Sequence, residues 1–171
     1  PDLYAAGDCA EALHLVTGKP AYIPLGSTAN KQGRIAGENA AGGQATFGGV
    51  VGTMVLRCFE LAVATTGLTA TGARDAGYQV QETKIQAKDV SHYFPGAEDI
   101  HVKLIADADT GRLLGGQLAG RPGVAKRVDV LATALHNRMT IPQLRELDLS
   151  YAPPFAPVWD PILVAANVAA K

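Results

Sequence analysis

The stretch IHVKLIADADTGRLLGGQLAG, residues 100 to 120, constrains the chain more than any other. Two apolar-rich runs flank Asp107 to Gly111, where aspartate and glycine tolerate the backbone angles that a reversal needs. The spacing predicts an antiparallel hairpin. A lone hairpin is at best marginal in water, so further strands must pair with it and an apolar layer must cover one face.

Candidates for both lie nearby. GTMVLRCFELAVATTGLT, residues 52 to 69, has the β-branched and aromatic content of strands. TATGARDAGY resembles a capped short helix ending at Gly77, and QVQETKIQAKDV alternates apolar and polar residues as a strand with one exposed face does. Helices follow. Val124, Val128, Leu131, Leu135 and Met139 recur at three and four, which makes one buried stripe. Thr140 to Gln143 has capping-box spacing, with Pro142 in the first turn, and Asp160-Pro161 opens a last apolar helix through Val168. Strands followed by helices predict an α+β domain: an antiparallel sheet flanked by helices.

The first residues follow another pattern. Leu3, Tyr4, Ala5 and Ala6 read as a short buried strand that stops at Gly7-Asp8. Such a strand needs neighbours, so either these come later or the chain is a fragment of something larger. A polar connection leads to a helix expected from about Ser27 to Ala41, with small residues Ala29, Gly33, Gly37 and Ala40 along one face. Each interior glycine costs about 1 kcal/mol relative to alanine, which suggests a compensating close approach. Tight packing on a sheet and a ligand-facing surface both fit. GGQATFGG then breaks the pattern, and the expected division is a first domain over residues 1–46 and a second over 47–171.

Composition excludes several functions. Hydrophobic residues make up 47% and charged residues 18%, with 15 basic against 16 acidic side chains, so no net field recruits nucleic acid or an anionic membrane. No apolar run reaches the roughly 20 residues of a membrane span, and the chain opens without a signal-peptide layout. The expected compartment is the cytoplasm. Cys9 and Cys58 match no paired-cysteine motif and are expected as small buried hydrophobes. The histidines show no metal-ligand spacing, so no metal is expected.

Two segments can carry chemistry. A carboxylate at a strand's carboxyl end, as Asp8 is expected to be, can accept hydrogen bonds from ligand hydroxyls; Gly-Asp is also a common turn. DLSYAPPFAPVWDPI, residues 148 to 162, alternates four prolines with Tyr151, Phe155 and Trp159 and so presents large aromatic groups on a stiff backbone. It suits an interface, an active-site wall or plain packing on the sheet. Tyrosine hydroxyls are protonated donors at neutral pH, and Tyr93 in SHYFPGAEDI has a similar proline and glycine setting.

Taken in order, these motifs resemble a known family. LYAAGDCAE resembles the second FAD-binding motif of the pyridine nucleotide-disulfide oxidoreductases, and PLGSTANKQGRIAG resembles the flavin-side helix after it. KRVDVLATAL and YAPPFAPVWDPILVAANVA, the most specific match, resemble the C-terminal dimerisation domain. The resemblance points to the single-cysteine branch of coenzyme A-disulfide reductases, NADH oxidases and persulfide reductases. It implies a chain that begins inside the FAD domain and keeps the whole dimerisation domain, with the redox cysteine upstream; Cys9 and Cys58 do not match that cysteine.

The resemblance also implies roles. Asp8 would contact the FAD ribityl chain, Gly26 and Ser27 would lie at the flavin end of the helix, and Phe155 would face the flavin of a partner subunit. Tyr151 and Tyr93 resemble the tyrosines that coenzyme A-disulfide reductases present to the other subunit's site. The implied cofactors are FAD and NAD(P)H, and the implied partners are a second copy of the chain and coenzyme A disulfide or a persulfide. The expected parent is a coenzyme A-disulfide reductase, with an NADH oxidase, a persulfide reductase or a non-catalytic dimerisation module as alternatives. The isolated chain is expected to form a homodimer and to be inactive.

Overall fold

The structure is a computed structural model, and it describes residues 3–171. The chain divides into two compact units, one ending at Gly52 and one running from Thr53 to Lys171.

In the first unit, β1 (Ala12–His14) pairs antiparallel with β2 (Lys19–Ala21), and α1 (Gly26–Ala40) follows. The hairpin occupies what the sequence presents as a plain connection. Its strands are three residues each, too short for a period-two signal to stand out, and the reversal rests on Gly18 at φ +69°. Leu3 to Ala6 form no strand, contrary to expectation, and Leu3 is 88% exposed. A run of four apolar residues does not make a strand unless another strand meets its backbone groups, and none does so among the described residues. Gly33 and Gly37 are not crowded either. A Cβ at either position would meet nothing within 4 Å, so packing within this unit does not explain the small face of α1.

The second unit is the α+β domain that the pattern predicts. Its strands are β3 (Met54–Cys58), β4 (Leu61–Gly67), β5 (Val80–Lys88), β6 (Asp99–Asp107) and β7 (Leu113–Gly120), in the spatial order β3-β4-β7-β6-β5 with every pairing antiparallel. The hairpin of β6 and β7 is the middle of the sheet. Its turn is fastened by Asp107, whose N–H donates to the Arg112 carbonyl at 2.9 Å and whose carboxylate accepts from the Thr110 hydroxyl at 2.6 Å. Helices α2 (Ala70–Asp75), α3 (Val124–His136), α4 (Ile141–Arg145) and α5 (Pro161–Ala169) complete the unit. α3 lies against β4 and β7 while α5 lies against β5 and β6. Leu104 and Leu118, on the face that Gly116 turns to Leu131, are buried with Leu131, Leu135 and Ile162.

Gly116 lets that face close, and Gly115 makes room on the opposite face. A Cβ on Gly115 would collide with the Leu68 backbone, and one on Gly116 would collide with the Leu131 side chain. The capping box appears as expected: the Thr140 N–H donates to the Gln143 side chain at 2.9 Å, and the Gln143 N–H donates back to the Thr140 hydroxyl at 3.4 Å.

Cys9 and Cys58 are both exposed, which corrects the expectation of burial. Cys58 ends β3, an edge strand with all five residues exposed, so its apolar character marks a surface and not a core. Among the described residues, no helix is long and apolar enough to cross a membrane.

Candidate functional site

The register of the sheet sets where the aromatic segments lie. Lys88 faces Asp99, Ile100 faces Gly120 and Ala62 faces Gly120, so the β5–β6 loop and the β7–α3 connection leave the sheet at one end. The β5–β6 loop carries Tyr93. Its neck is clasped twice: the Asp89 N–H donates to the Glu98 carbonyl at 3.0 Å, and the Glu98 N–H donates to the Asp89 carboxylate at 2.8 Å.

The proline-rich segment before α5 meets this loop. Its chain turns at Ala152, whose carbonyl accepts from Phe155 N–H at 2.9 Å and Ala156 N–H at 3.0 Å, and the Ala156 side chain is buried. The Ser91 N–H donates to the Pro153 carbonyl at 3.3 Å, which joins the two segments. Prolines here leave carbonyls without a competing N–H of their own, and one of those carbonyls makes the junction.

The junction brings Tyr93 and Tyr151 together. Both rings are substantially exposed, 65% and 48%, and their hydroxyls lie near enough to each other and to the buried Ser91 to shift one another's proton affinity. The Tyr151 hydroxyl, with Ser91 assisting, holds the Tyr93 phenol below the ordinary tyrosine value, because a donor stabilises the phenolate. Tyr93 in turn raises Tyr151, since the donating phenol keeps its proton. The pair is therefore unequal. The directions make Tyr93 the member that carries negative charge more readily and Tyr151 the one that holds its proton more tightly.

A cavity of about 270 Å³ lies between the same two segments, walled by Asp89, Phe94, Gly123, Pro154 and Phe155. Phe155 is 72% exposed on its rim. The walls mix apolar rings and prolines with the Asp89 carboxylate and glycine backbone. That arrangement suits a ligand with an apolar arm and a polar end.

One buried side chain lies under both segments. Arg127 on α3 donates through Nε to both carboxylate oxygens of Asp160 at 3.1 and 3.0 Å, through Nη2 to the Asp89 carbonyl at 2.7 Å, and through Nη1 to the Gly123 carbonyl at 3.2 Å. Asp160 also caps α5, accepting from the Ile162 N–H at 3.0 Å. The sequence reading uses Asp160 as a cap and passes over Arg127. The available signal is its position: Arg127 lies three residues after Val124 and four before Leu131, on the apolar stripe where a charge needs a partner.

The first unit holds the other residues expected to meet a ligand. Gly7, at φ +82°, starts the turn that contains Asp8, and its N–H donates to Gln32 on α1 at 2.9 Å. Asp8 is exposed. α1 begins at Gly26 and Ser27, both exposed, with Leu25 as N-cap residue and no side chain capping its first amides. Those amides and the Asp8 carboxylate form one donor set and one acceptor on a single unit, chemically suited to a polyhydroxylated ligand with an electron-rich end.

Comparison with known proteins agrees with this architecture. Residues 55–161 match the pyridine nucleotide-disulphide oxidoreductase dimerisation domain. An NAD(P)H sulfur oxidoreductase (CoA-dependent) of Pyrococcus furiosus is 43% identical over 98% of this chain, which covers 38% of that protein. An NADH oxidase of Methanocaldococcus jannaschii is 34% identical over the whole chain, again covering 38% of its length. Among solved structures, an NAD-dependent persulfide reductase from A. fulgidus superposes on 98% of this chain with a TM-score of 0.94 at 46% identity, and the match spans 31% of that structure. The chain therefore spans little more than a third of the curated relatives it matches. It belongs to the pyridine nucleotide-disulphide oxidoreductase family, with residues 55–161 forming the dimerisation domain.

Proposed function

We propose that the chain is the FAD-contacting and dimerisation part of a flavin-dependent NAD(P)H oxidoreductase that reduces a sulfur–sulfur bond attached to coenzyme A, a disulfide or a persulfide. The observation that carries this reading is that the Ser91–Pro153 junction joins the segments of Tyr93 and Tyr151, whose neighbours Phe94 and Pro154 wall the cavity. In reduction, a cysteine thiolate elsewhere in the protein attacks one sulfur of the substrate, the sulfur–sulfur bond breaks, and the second sulfur leaves with the electron pair. Tyr93 donates a hydrogen bond or its proton to that leaving thiolate, and Tyr151 stabilises the negative charge that then rests on Tyr93. The relatives named for CoA-dependent sulfur reduction and for persulfide reduction support this substrate class.

FAD fits the first unit. Asp8 would accept hydrogen bonds from the ribityl hydroxyls, and the uncapped amides at Gly26 and Ser27 would stabilise an electron-rich isoalloxazine edge. Bound FAD would supply the electron transfer from NAD(P)H to the sulfur chemistry. Phe155, exposed on the cavity rim, would shield the flavin of a second copy, so the pair would serve the partner's site. Self-association also accounts for β3, an edge strand that exposes Met54, Val55 and Leu56 beside Phe59.

The reading is tested on the full-length protein by anaerobic NAD(P)H oxidation with coenzyme A disulfide and with coenzyme A persulfide, beside oxygen uptake without either. Rapid turnover with a sulfur substrate and slow oxygen uptake supports it. The M. jannaschii relative favours a second reading, an NADH oxidase, in which the tyrosines only wall the flavin site. Fast oxygen uptake without sulfur turnover would establish that reading instead.

A further inference from the structure

We propose that Arg127, paired with Asp160, is the positioning residue that holds the Tyr93 loop and the Tyr151 segment in register with each other. Its guanidinium is buried, 1% exposed, and each bond it makes ends at the root of a segment that builds the site. Nη2 holds the carbonyl of Asp89, the residue whose N–H and carboxylate close the neck of the Tyr93 loop. Nε holds the carboxylate of Asp160, the last residue of the proline-rich segment that carries Tyr151 and Phe155. Nη1 holds the carbonyl of Gly123, where α3 begins. One rigid planar group thus fixes three chain ends relative to one another.

Two further features fit a device that positions. Gly123 has φ +76°, and a Cβ there would collide with Arg127 Nη1, so this glycine leaves the space that the guanidinium fills. Among the described residues, the Ser91–Pro153 bond, at 3.3 Å, is the one backbone bond that joins the loop to the segment. A bond of that length does not hold two loops alone, whereas the charge-assisted bonds of Arg127 are shorter and shielded from water. The role deepens the reading proposed for the tyrosines and rests on it.

The test uses the full-length protein with Asp160→Asn, which keeps a capping oxygen for Ile162 but loses the charge, and with Arg127→Lys, which keeps the charge but loses the fork. Gly123→Ala, which displaces the guanidinium and leaves both charges, serves where either fails to fold. Two readouts are taken: kcat against KM with coenzyme A disulfide, and the ultraviolet phenolate titration of Tyr93, read as the difference from the Tyr93→Phe protein. Folded variants are expected to lose about tenfold or more in kcat with little change in the KM for NAD(P)H, and the Tyr93 titration should move up toward ordinary tyrosine. A folded variant with a lower melting temperature but unchanged kcat and unchanged Tyr93 titration overturns the proposal, because a purely structural residue would behave so. Tyr93→Phe and Tyr151→Phe proteins in the same assay separate the two ideas. If both keep full turnover, the catalytic reading fails, and the phenolate titration alone then decides whether Arg127 positions the pair.

Discussion

Arg127 and Asp160 form a bidentate pair inside the second unit, with the closest N–O distance 2.9 Å and side chains 1% and 3% exposed. A buried pair is a weak source of net stability but a costly one to break, since the surviving charge is left without a partner. Arg127→Met should therefore cost about 3–5 kcal/mol, and Arg127→Met with Asp160→Leu should cost less than Arg127→Met alone. Urea unfolding of the three proteins measures this. A double variant less stable than the single one would show that the carboxylate is stabilised by something other than Arg127.

The tyrosine pair makes a pH prediction with a definite sign. Tyr93 is held below the ordinary tyrosine value of about 10, so a reaction that needs its proton loses rate on the alkaline side earlier than a free phenol would dictate. Tyr151→Phe removes the donor that lowers Tyr93. The alkaline limb of kcat should then shift to higher pH while the rate on the plateau falls, because the charge on Tyr93 is less well supported. A limb that stays in place in the Tyr151→Phe protein would mean that another group sets it.

The same two tyrosines show what the sequence could and could not reveal. Each stood out by its proline and glycine setting, because prolines stiffen a chain that presents aromatic rings. That they meet could not be read from spacing, since 57 intervening residues fold into two strands and two helices between them. The central hairpin, the capping box at Thr140 and the Asp160 cap were all legible, because each depends on contacts within a few residues. Leu3 to Ala6 and the two cysteines misled for the opposite reason. Whether an apolar residue is buried depends on what packs against it, and local composition carries no record of that.

Glu82 should govern the acid side of stability in the second unit. It is bonded to Arg74 and, at 2.7 Å, to Lys103, and these two cations lower its carboxyl from 4.5 to about 2, with Lys103 the larger influence. A carboxyl with a depressed folded value adds stability above its unfolded value and loses it as pH falls toward the folded one. The melting temperature should thus fall between pH 4.5 and about 2 with a contribution that Glu82→Gln abolishes. The group is partly open to water, so raising the salt concentration should shrink the difference between the two proteins. Parallel melting curves across that window, with no narrowing in salt, would count against the assignment.

Two glycines predict opposite outcomes for the same substitution. At Gly115, between the central strand and the Leu68 backbone, a methyl group has no room, and the obstacle is main chain that cannot rotate away. Gly115→Ala should cost about 3 kcal/mol, in the upper part of the range for overpacked sites, and displace the β4–α2 connection at Leu68. At Gly37, inside α1, a methyl group meets nothing within 4 Å and the helical backbone accepts it. Gly37→Ala should stabilise the chain by about 0.5–1 kcal/mol, the usual gain when a helix interior loses a glycine. Chemical denaturation of both variants gives the comparison. If Gly37→Ala stabilises this chain but weakens FAD binding in the full-length protein, the small face of α1 is kept open for the cofactor; if it stabilises both, that face has no ligand to accommodate.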